Sequence, residues 1–289
     1  MTEKNKISEF ITFPTTFENY KWYKPILVFI VTAIMYLILN GIITLIFYAI
    51  FGQNMISSIV FGGYEVMNTE AGQIYSDLGI IIILPALYVA TKVIKDRPLS
   101  SYASSRGGFN YRLYFKALLI PIIIYVIFEI INIFTVGIKG TNHFSIPFFI
   151  VCLILVPLQC ISEEFAFRGL IMQSIGSWVK IPVLTIVIQA IIFAALHGYN
   201  NLGVLIIFIS GLVMGFFAWK TNGIEISSAV HTINNLSSAL AVMFGLEMTT
   251  STISTTDTIL GIIMEVVIFV IMYLAITKTD WFSEINEPV

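Results

Sequence analysis

Two adjacent carboxylates follow a long apolar run near the middle of the chain. Glu163 and Glu164 come directly after that run, and a guanidinium, Arg168, lies four residues beyond the second of them. On a helix, Glu164 and Arg168 share one face and can form an ion pair. Glu163 points about 100° away from its neighbour, which predicts that it is the carboxylate free to act on another group. A charge cluster at a helix end on the membrane surface is the structural alternative.

Two segments containing histidine add further polar groups in apolar surroundings. Phe193 and His197 are four residues apart at the end of one apolar run, and His231 and Asn235 have the same spacing at the start of another. Each pair lies on one helical face. In a poorly solvated cavity a carboxylate can take a proton from water, while imidazole and amide groups can stabilise an oxyanion. Together these residue types can support hydrolysis.

The composition of the chain indicates a membrane protein. Apolar residues make up 57% of the sequence and charged residues only 11%, and the formal net charge is −2. The mean hydropathy is +0.92. Soluble domains carry about 25% charged residues, so lipid is the implied solvent. A charge so close to zero also argues against a nucleic-acid partner, which would require a strongly basic face.

Apolar runs predict the number of spans, because a hydrocarbon core of about 30 Å requires about 20 apolar residues per helix. Eight runs are found: Pro25–Phe51, Asp77–Ala90, Leu113–Val136, Pro147–Ile161 with an apolar continuation, Pro182–Leu196, Gly203–Trp219, Ile226–Gly245 and Thr258–Thr277. The second and fifth are short. The predicted fold is all-α, a polytopic membrane protein with about eight transmembrane helices around a polar intramembrane cavity. Residues 1–24 are predicted to form a cytoplasmic interfacial segment, and residues 25–289 a single membrane domain.

Basic residues are unevenly distributed between the loops. The N-terminal segment contains four lysines beside several aromatic residues: Lys4, Lys6, Lys21 and Lys24. The segment Lys92–Lys116 holds six basic residues, whereas residues 52–76 hold none. The positive-inside rule predicts a cytoplasmic N-terminus, and eight spans would return the C-terminus to the cytoplasm. Lys139 is predicted on the outer side, and the whole protein in the cell membrane.

Helix lengths predict the depth of the candidate residues. Glu163 lies about as far before the turn at Ser177–Pro182 as His197 lies after it, so antiparallel helices would place the two at similar depth. The same count puts His231 nearer the opposite side. Tilt, or an irregular helix lining a wet cavity, is required to bring it to Glu163. We expect bending of this kind.

The chain resembles the CAAX-protease and bacteriocin-processing family of intramembrane proteases, also called the Abi family. The resemblance is carried by three intact motifs in the same order: Glu163-Glu164-x-x-x-Arg168, Phe193-x-x-x-His197 and His231-x-x-x-Asn235. They span roughly residues 160–240, and the family core is expected at about 145–245. Residues 1–145 carry little of the resemblance.

The resemblance implies a role for each motif residue. Glu163 would be the general base that activates water, and His197 would help to hold it. His231 and Asn235 would orient or stabilise the carbonyl oxygen in the transition state. Supporting roles, such as fixing the helix rotation that aims the general base, would fall to three neighbours: Glu164, Arg168 and Phe193.

The sequence leaves the metal dependence of this site open. Glu163, His197 and His231 are also a possible zinc set with an open position for water. No His-Glu-x-x-His pair is present, however, and Arg168 can compensate a buried carboxylate without a metal. A glutamate mechanism without metal or other cofactor is therefore preferred.

The predicted function is hydrolysis of a peptide bond in a membrane-associated or lipidated peptide or protein. One alternative is a non-catalytic membrane regulator or bacteriocin-immunity protein on the same scaffold. Another is a transporter or channel, which is supported by the polar cluster alone. The predicted partners are membrane lipids and the peptide substrate. Other polar residues in the apolar runs, Glu129, Asn132 and Glu265, are expected to face the same cavity or to make local contacts.

Overall fold

A computed structural model describes residues 8–61, 63–135, 137–138, 140–247 and 249–289. In this part of the chain the structure consists of helices, turns and short loops, and it contains no strand. The prediction of an all-α fold is confirmed. Three lysines on which the predicted orientation drew lie outside the described residues: Lys4, Lys6 and Lys139.

The helices follow one another closely along the chain. In order, they are α1 (Lys24–Phe61), α2 (Glu70–Ile81), α3 (Ile83–Ile94), α4 (Ser100–Ala103), α5 (Tyr111–Thr135), α6 (Ile146–Glu164), a π-helix (Phe165–Met172), α7 (Gln173–Val179), α8 (Pro182–Ala195), α9 (Asn201–Lys220), α10 (Glu225–Met243) and α11 (Thr255–Lys278). Short 3₁₀ helices occupy Phe13–Thr16, Gly63–Asn68 and Ser283–Asn286.

The chain is a multi-pass membrane protein by the length and composition of its helices. Six segments of the described chain are long and apolar enough to cross a membrane: Lys24–Ile59, Glu70–Ile94, Tyr111–Thr135, Ile146–Val179, Asn201–Lys220 and Thr255–Lys278. The two remaining predicted runs fall on α8 and α10. Helix α8 has only 14 residues, about 21 Å of rise, while α10 includes Glu225, two serines and His231 in its first seven residues. The count of eight spans therefore stays a prediction.

Two predicted boundaries differ from the structure for the same reason. The second predicted run, Asp77–Ala90, belongs to a segment of 25 residues, Glu70–Ile94, and the fourth continues from Pro147 to Val179. In both, polar residues lie inside a continuous helical segment. A run of apolar residues in the sequence ends at the first polar residue. A helix can nevertheless continue through that residue when its side chain packs against protein.

The lipid-facing surface is clearest on α1. Leu37, Leu45 and Ile50 each leave about two thirds of their side chains uncovered, at 68%, 68% and 66%. Apolar surface of this extent is expected where lipid is the solvent. The helix is interrupted at Gly52, which has a φ of 77° that a residue without a Cβ adopts readily.

Helices α6 and α10 lie at the centre of the fold and position the candidate site. Helix α6 packs between α2 and α10, and α10 also packs against α5 and α9. The hydroxyl of Ser162 donates to the carbonyl of Ile81 at 3.3 Å, which joins α6 to α2. Tyr114 and Thr232 share a hydrogen bond of 3.0 Å between α5 and α10. Side chains on α6 and α10 therefore face each other across a fixed interface.

The described parts of both terminal segments lie at one end of the helix bundle. The hydroxyl of Ser105 donates to the carbonyl of Ser8 at 2.6 Å, and the backbone N–H of Val289 donates to the carbonyl of Arg106 at 2.8 Å. Both contacts involve the basic Lys92–Lys116 segment.

Candidate active site

The candidate site begins where α6 gives way to the π-helix. Hydrogen bonds in a π-helix span five residues instead of four, and such segments are rare and are often found at functional sites. The guanidinium of Arg97 supports this one by donating to the carbonyl of Gly169 at 3.2 Å and to the side chain of Gln173. A Cβ on Gly169 would come within 2.6 Å of the carbonyl oxygen of Tyr102, so glycine permits α4 to approach the π-helix this closely.

Both motif glutamates contact one imidazole. The Oε2 atom of Glu163 is 3.3 Å from Nε2 of His231, and Oε1 of Glu164 is 3.0 Å from Nδ1 of the same ring. Arg168 donates to that Oε1 atom at 2.7 Å, and the side chains of Glu164 and Arg168 are fully buried. Because a carboxylate accepts at Nδ1, that nitrogen carries a proton and Nε2 is directed toward Glu163.

The amide of Asn235 completes this network on α10. Its Nδ2 atom is 3.4 Å from Nε2 of His231 and donates to Oε1 of Gln159 at 3.1 Å. Gln159 lies one helical turn before Glu163, so α6 supplies both the carboxylate and the group that orients Asn235. The expected approach of His231 to Glu163 is present where α10 packs against α6, and the tilt or bending expected to produce it stays a prediction.

His197 lies just beyond the end of α8 and belongs to the same cavity. Its Nδ1 atom is 2.8 Å from the carbonyl oxygen of Phe193, and the two rings are 4.7 Å apart. The ring of Phe193 also lies 6.0 Å from that of His231 and 4.6 Å from the guanidinium of Arg168. Among the described residues, no hydrogen bond or ion pair joins His197 to Glu163.

A cavity of about 660 Å³ connects these residues. Five of the predicted site residues line it: Glu163, Phe193, His197, His231 and Asn235. Glu129, Asn132 and Glu265, which the sequence placed as secondary candidates, line it too. Glu164 and Arg168 do not line the cavity and lie behind the residues that do. The volume is within the range of about 300–1,000 Å³ common for ligand pockets.

The residues weighed as zinc ligands do not assemble into a metal site. In the described part of the chain, no group of three or more His, Cys, Asp and Glu side chains could hold a metal ion. Both nitrogens of His231 are already engaged, with Glu164 on one side and Glu163 and Asn235 on the other. The preference for a glutamate mechanism without metal, with Glu163, His197 and His231 as the alternative zinc set, stays a prediction.

Two cavity residues were missed as site candidates in the sequence. Gln159 holds Asn235, and Asp77 lines the cavity from α2 while accepting a hydrogen bond of 2.9 Å from Gln73. A polar residue inside an apolar run was the available signal in both cases. Asp77 marked the start of a predicted span, which hid its place inside a helix.

Comparison with known proteins bears on this geometry. Residues 144–237 match the family described as Rce1-like, type II CAAX prenyl endopeptidase. The predicted family resemblance is confirmed. All three motifs fall within the matched residues, and every contact of the network around His231 joins residues of that segment.

The chain is also similar to a protein of Bacillus subtilis (strain 168), the uncharacterized protein YyaK. The two are 27% identical over 168 residues, which cover 54% of this chain and 56% of YyaK. The chain thus spans about half the length of that relative. No solved structure matches the chain.

Proposed function

We propose that the protein is an intramembrane endopeptidase in which Glu163 activates water. The observation that carries the proposal is the position of this carboxylate at the cavity wall, with Oε2 3.3 Å from Nε2 of His231. A carboxylate there can hold a water molecule against an incoming peptide and accept its proton. The similarity of residues 144–237 to a family of endopeptidases supports the same chemistry.

In the proposed reaction, Glu163 takes a proton from water, and the resulting hydroxide adds to the carbon of the scissile carbonyl. In this step the Nε2–H of a protonated His231, whose Nδ1–H is held by Glu164, and an amide N–H of Asn235 stabilise the oxyanion that forms. Glu163 then returns the proton to the leaving nitrogen as the C–N bond breaks. The products are a free amine and a carboxylic acid, and the glutamate regains its original charge.

The neighbouring residues have positioning roles in this proposal. Glu164 holds the Nδ1 side of His231 while its own charge is balanced by Arg168. Gln159 orients the amide of Asn235. We assign His197, on another wall of the cavity, to contact with the substrate backbone, because its contacts do not include Glu163.

The proposed reaction uses no metal. The ion pair between Glu164 and Arg168 supports this, since it balances a buried charge beside the reacting carboxylate without a cation from solution. Metal analysis of the purified protein, with chelator treatment, tests the point. Stoichiometric zinc whose removal abolishes cleavage would overturn it.

We further propose that both terminal segments are cytoplasmic and that the substrate is a membrane-associated or lipidated polypeptide. The shared position of both terminal segments beside the basic Lys92–Lys116 loop supports this orientation. With α8 and α10 counted as crossings, the six longer segments become eight. Reporter fusions at each end provide the check, and export of one end alone would contradict it.

The central test is Glu163→Gln in full-length protein reconstituted into lipid discs with a fluorogenic membrane peptide. Cleavage should fall by at least about a hundredfold, the lower range for loss of a general base. The melting temperature should stay close to that of the wild type, because the side chain lies at the cavity wall. Unchanged cleavage would favour a binding role on the same scaffold.

A further inference from the structure

The cavity that contains the candidate site has a one-sided charge distribution. Seven carboxylates of the described residues line it, most of them on the four helices α2, α5, α6 and α11: Glu70, Asp77, Glu129, Glu163, Glu247, Asp257 and Glu265. Among the described residues, no lysine or arginine lines it. A carboxylate in poorly solvated surroundings is costly unless a cation or hydrogen-bond donors compensate it. The described walls of the cavity therefore carry no lysine or arginine to compensate these carboxylates, and the lining histidine His231 contacts Glu163.

Glu265 is the carboxylate that most clearly lacks a partner. Its residue is only 6% exposed, and Oε1 accepts a hydrogen bond from Ser210. Its other oxygen, Oε2, is buried without a hydrogen-bond partner in the described part of the chain. A buried carboxylate oxygen without a partner beside a cavity can accept a hydrogen bond from an ammonium or guanidinium group that reaches it.

Glu129, on the neighbouring helix, has a second buried oxygen without a partner. Helices α5 and α11 pack against each other, and Glu129 accepts a hydrogen bond of 3.4 Å from Ser237 through Oε1. Its Oε2 atom, like that of Glu265, has no hydrogen-bond partner among the described residues. Outside the cavity the pattern differs, since Glu164 and Glu225 each contact an arginine.

We propose that the cavity selects peptide segments that carry a lysine or arginine close to the scissile bond. Glu129 and Glu265 receive the basic side chain, while the adjacent peptide bond lies against Glu163. The volume of about 660 Å³ provides room for such a side chain together with a short stretch of backbone. This inference rests on the proposed function and specifies its substrate class.

Binding measurements test this preference without requiring hydrolysis. Full-length Glu163→Gln protein in discs of zwitterionic phosphatidylcholine is titrated with sets of three apolar peptides. The three peptides of a set are identical except at one position, which is Lys, Gln or Glu. Further sets move this position along the peptide. At its best position, the Lys peptide should bind about tenfold or more tightly than the Gln peptide, and the Glu peptide more weakly still. Protein-free discs correct for adsorption to lipid.

Three further variants, made in the same background, connect the preference to the cavity. Glu265→Gln and Glu129→Gln should each reduce the preference for Lys over Gln, and the double variant should abolish it. Glu287→Gln is the matched control, because this exposed glutamate lies outside the cavity and should leave the preference unchanged. Should Glu265→Gln not fold, Glu129→Gln on its half-buried side chain carries the same expectation.

Equal affinity for the three peptides would overturn the inference, as would a Lys preference that survives loss of both glutamates. The proposed function fails separately. If the wild type binds Lys peptides selectively but cleaves none of them, the cavity selects cations without being a protease site. If it cleaves all three peptides equally well, the protease stands and the charge preference does not.

Discussion

Two fully buried Arg–Glu ion pairs in this protein differ in what their carboxylates contact next. Arg106 and Glu225 are 2.5 Å apart, and Arg168 and Glu164 are 2.7 Å apart; all four side chains have no exposed surface. The remaining oxygen of Glu225 accepts a hydrogen bond of 2.9 Å from the backbone of Asn110. That pair joins the segment before α5 and the backbone of Glu284 to the start of α10, and neither of its side chains lines the cavity.

The pair of Arg168 and Glu164 in the candidate site is connected to the cavity through His231. Oε1 of Glu164 contacts His231 as well as Arg168, and the same imidazole contacts Glu163 at the cavity. A buried ion pair is weak evidence of function by itself, because the free-energy cost of removing both ions from water offsets much of their mutual attraction. The imidazole between pair and cavity is what distinguishes the second pair from the first.

Removing one carboxylate from each pair should give the largest effects. Glu164→Gln and Glu225→Gln each leave a buried arginine without its counter-ion, and each should cost about 3–5 kcal/mol of stability. Thermal melts in detergent measure this loss. Cleavage per folded molecule should fall at least about tenfold in Glu164→Gln, because His231 loses the partner that orients it.

Glu225→Gln is the matched control for that measurement. Its cleavage rate per folded molecule should stay within about twofold of the wild type, because the pair with Arg106 lies apart from the cavity. Equal loss of activity in both variants would mean that α10 responds as a rigid unit and that the distinction between the two pairs is wrong.

Two buried glutamines allow a similar comparison, with smaller expected effects, between a side chain that contacts a site residue and one that does not. Gln159 accepts a hydrogen bond from Asn235 and lines the cavity, whereas both polar side-chain atoms of Gln189 in α8 lack a hydrogen-bond partner in the described chain. Gln159→Met should lower kcat about tenfold with little change in KM, because Asn235 stabilises the transition state more than the bound substrate.

Gln189→Met should leave kcat unchanged and keep or raise the melting temperature, because it replaces an unpaired buried amide with an apolar side chain. A conservative variant, Gln159→Glu, keeps an acceptor for Asn235 and should recover part of the lost rate. If Gln159→Met raises KM alone, Gln159 contacts the substrate instead of positioning Asn235.

The motif residues were predictable from the sequence because their types and spacing are local. Glu163, Glu164 and Arg168 are neighbours on one helical segment, and their mutual geometry follows from helix periodicity. The approach of His231 to Glu163 was expected from the motifs, but the contact of His231 with Glu164 was not, because it depends on how α10 packs against α6. Simple helix counts placed His231 at another depth, and packing of α10 against α6 overrides that count.

The ends of the helices were less predictable than their existence. Asp77 was the first residue of the predicted span Asp77–Ala90 but lies within the continuous segment Glu70–Ile94, where neighbouring helices cover it. The π-helix has no signature in the apolar pattern, since its supports are long-range contacts from Arg97 and the Tyr102 backbone. Roles for cavity residues such as Gln159 follow only from partners distant in sequence.

The smallest expected effect concerns an ion pair at the basic end that is neither fully buried nor near the cavity. Glu284 accepts from the ammonium of Lys116 at 2.9 Å, and its side chain is 12% exposed. Burial acts to raise the pKa of Glu284, but hydrogen bonds from the backbone and from Lys116 outweigh it, so the pKa lies below its usual value. Stabilisation from a lowered carboxyl pKa is present above the unfolded-state pKa of about 4.3 and is lost as the pH falls through the folded-state value.

Glu284→Gln should therefore lower stability at pH 7 by no more than about 1 kcal/mol, the range of partly exposed ion pairs. The difference from the wild type should shrink as the pH falls below about 4, because protonation then removes the same charge from the wild-type side chain. Melts of both proteins across this range measure it, with Glu287→Gln as the exposed control that should show no difference at either pH. A gap that widens on acidification would mean that Glu284 is protonated more readily when folded, and would reverse the assignment of Lys116 as its stabilising partner. Because Glu284 contacts neither pair of the comparison at its side chain, cleavage per folded molecule should stay unchanged throughout.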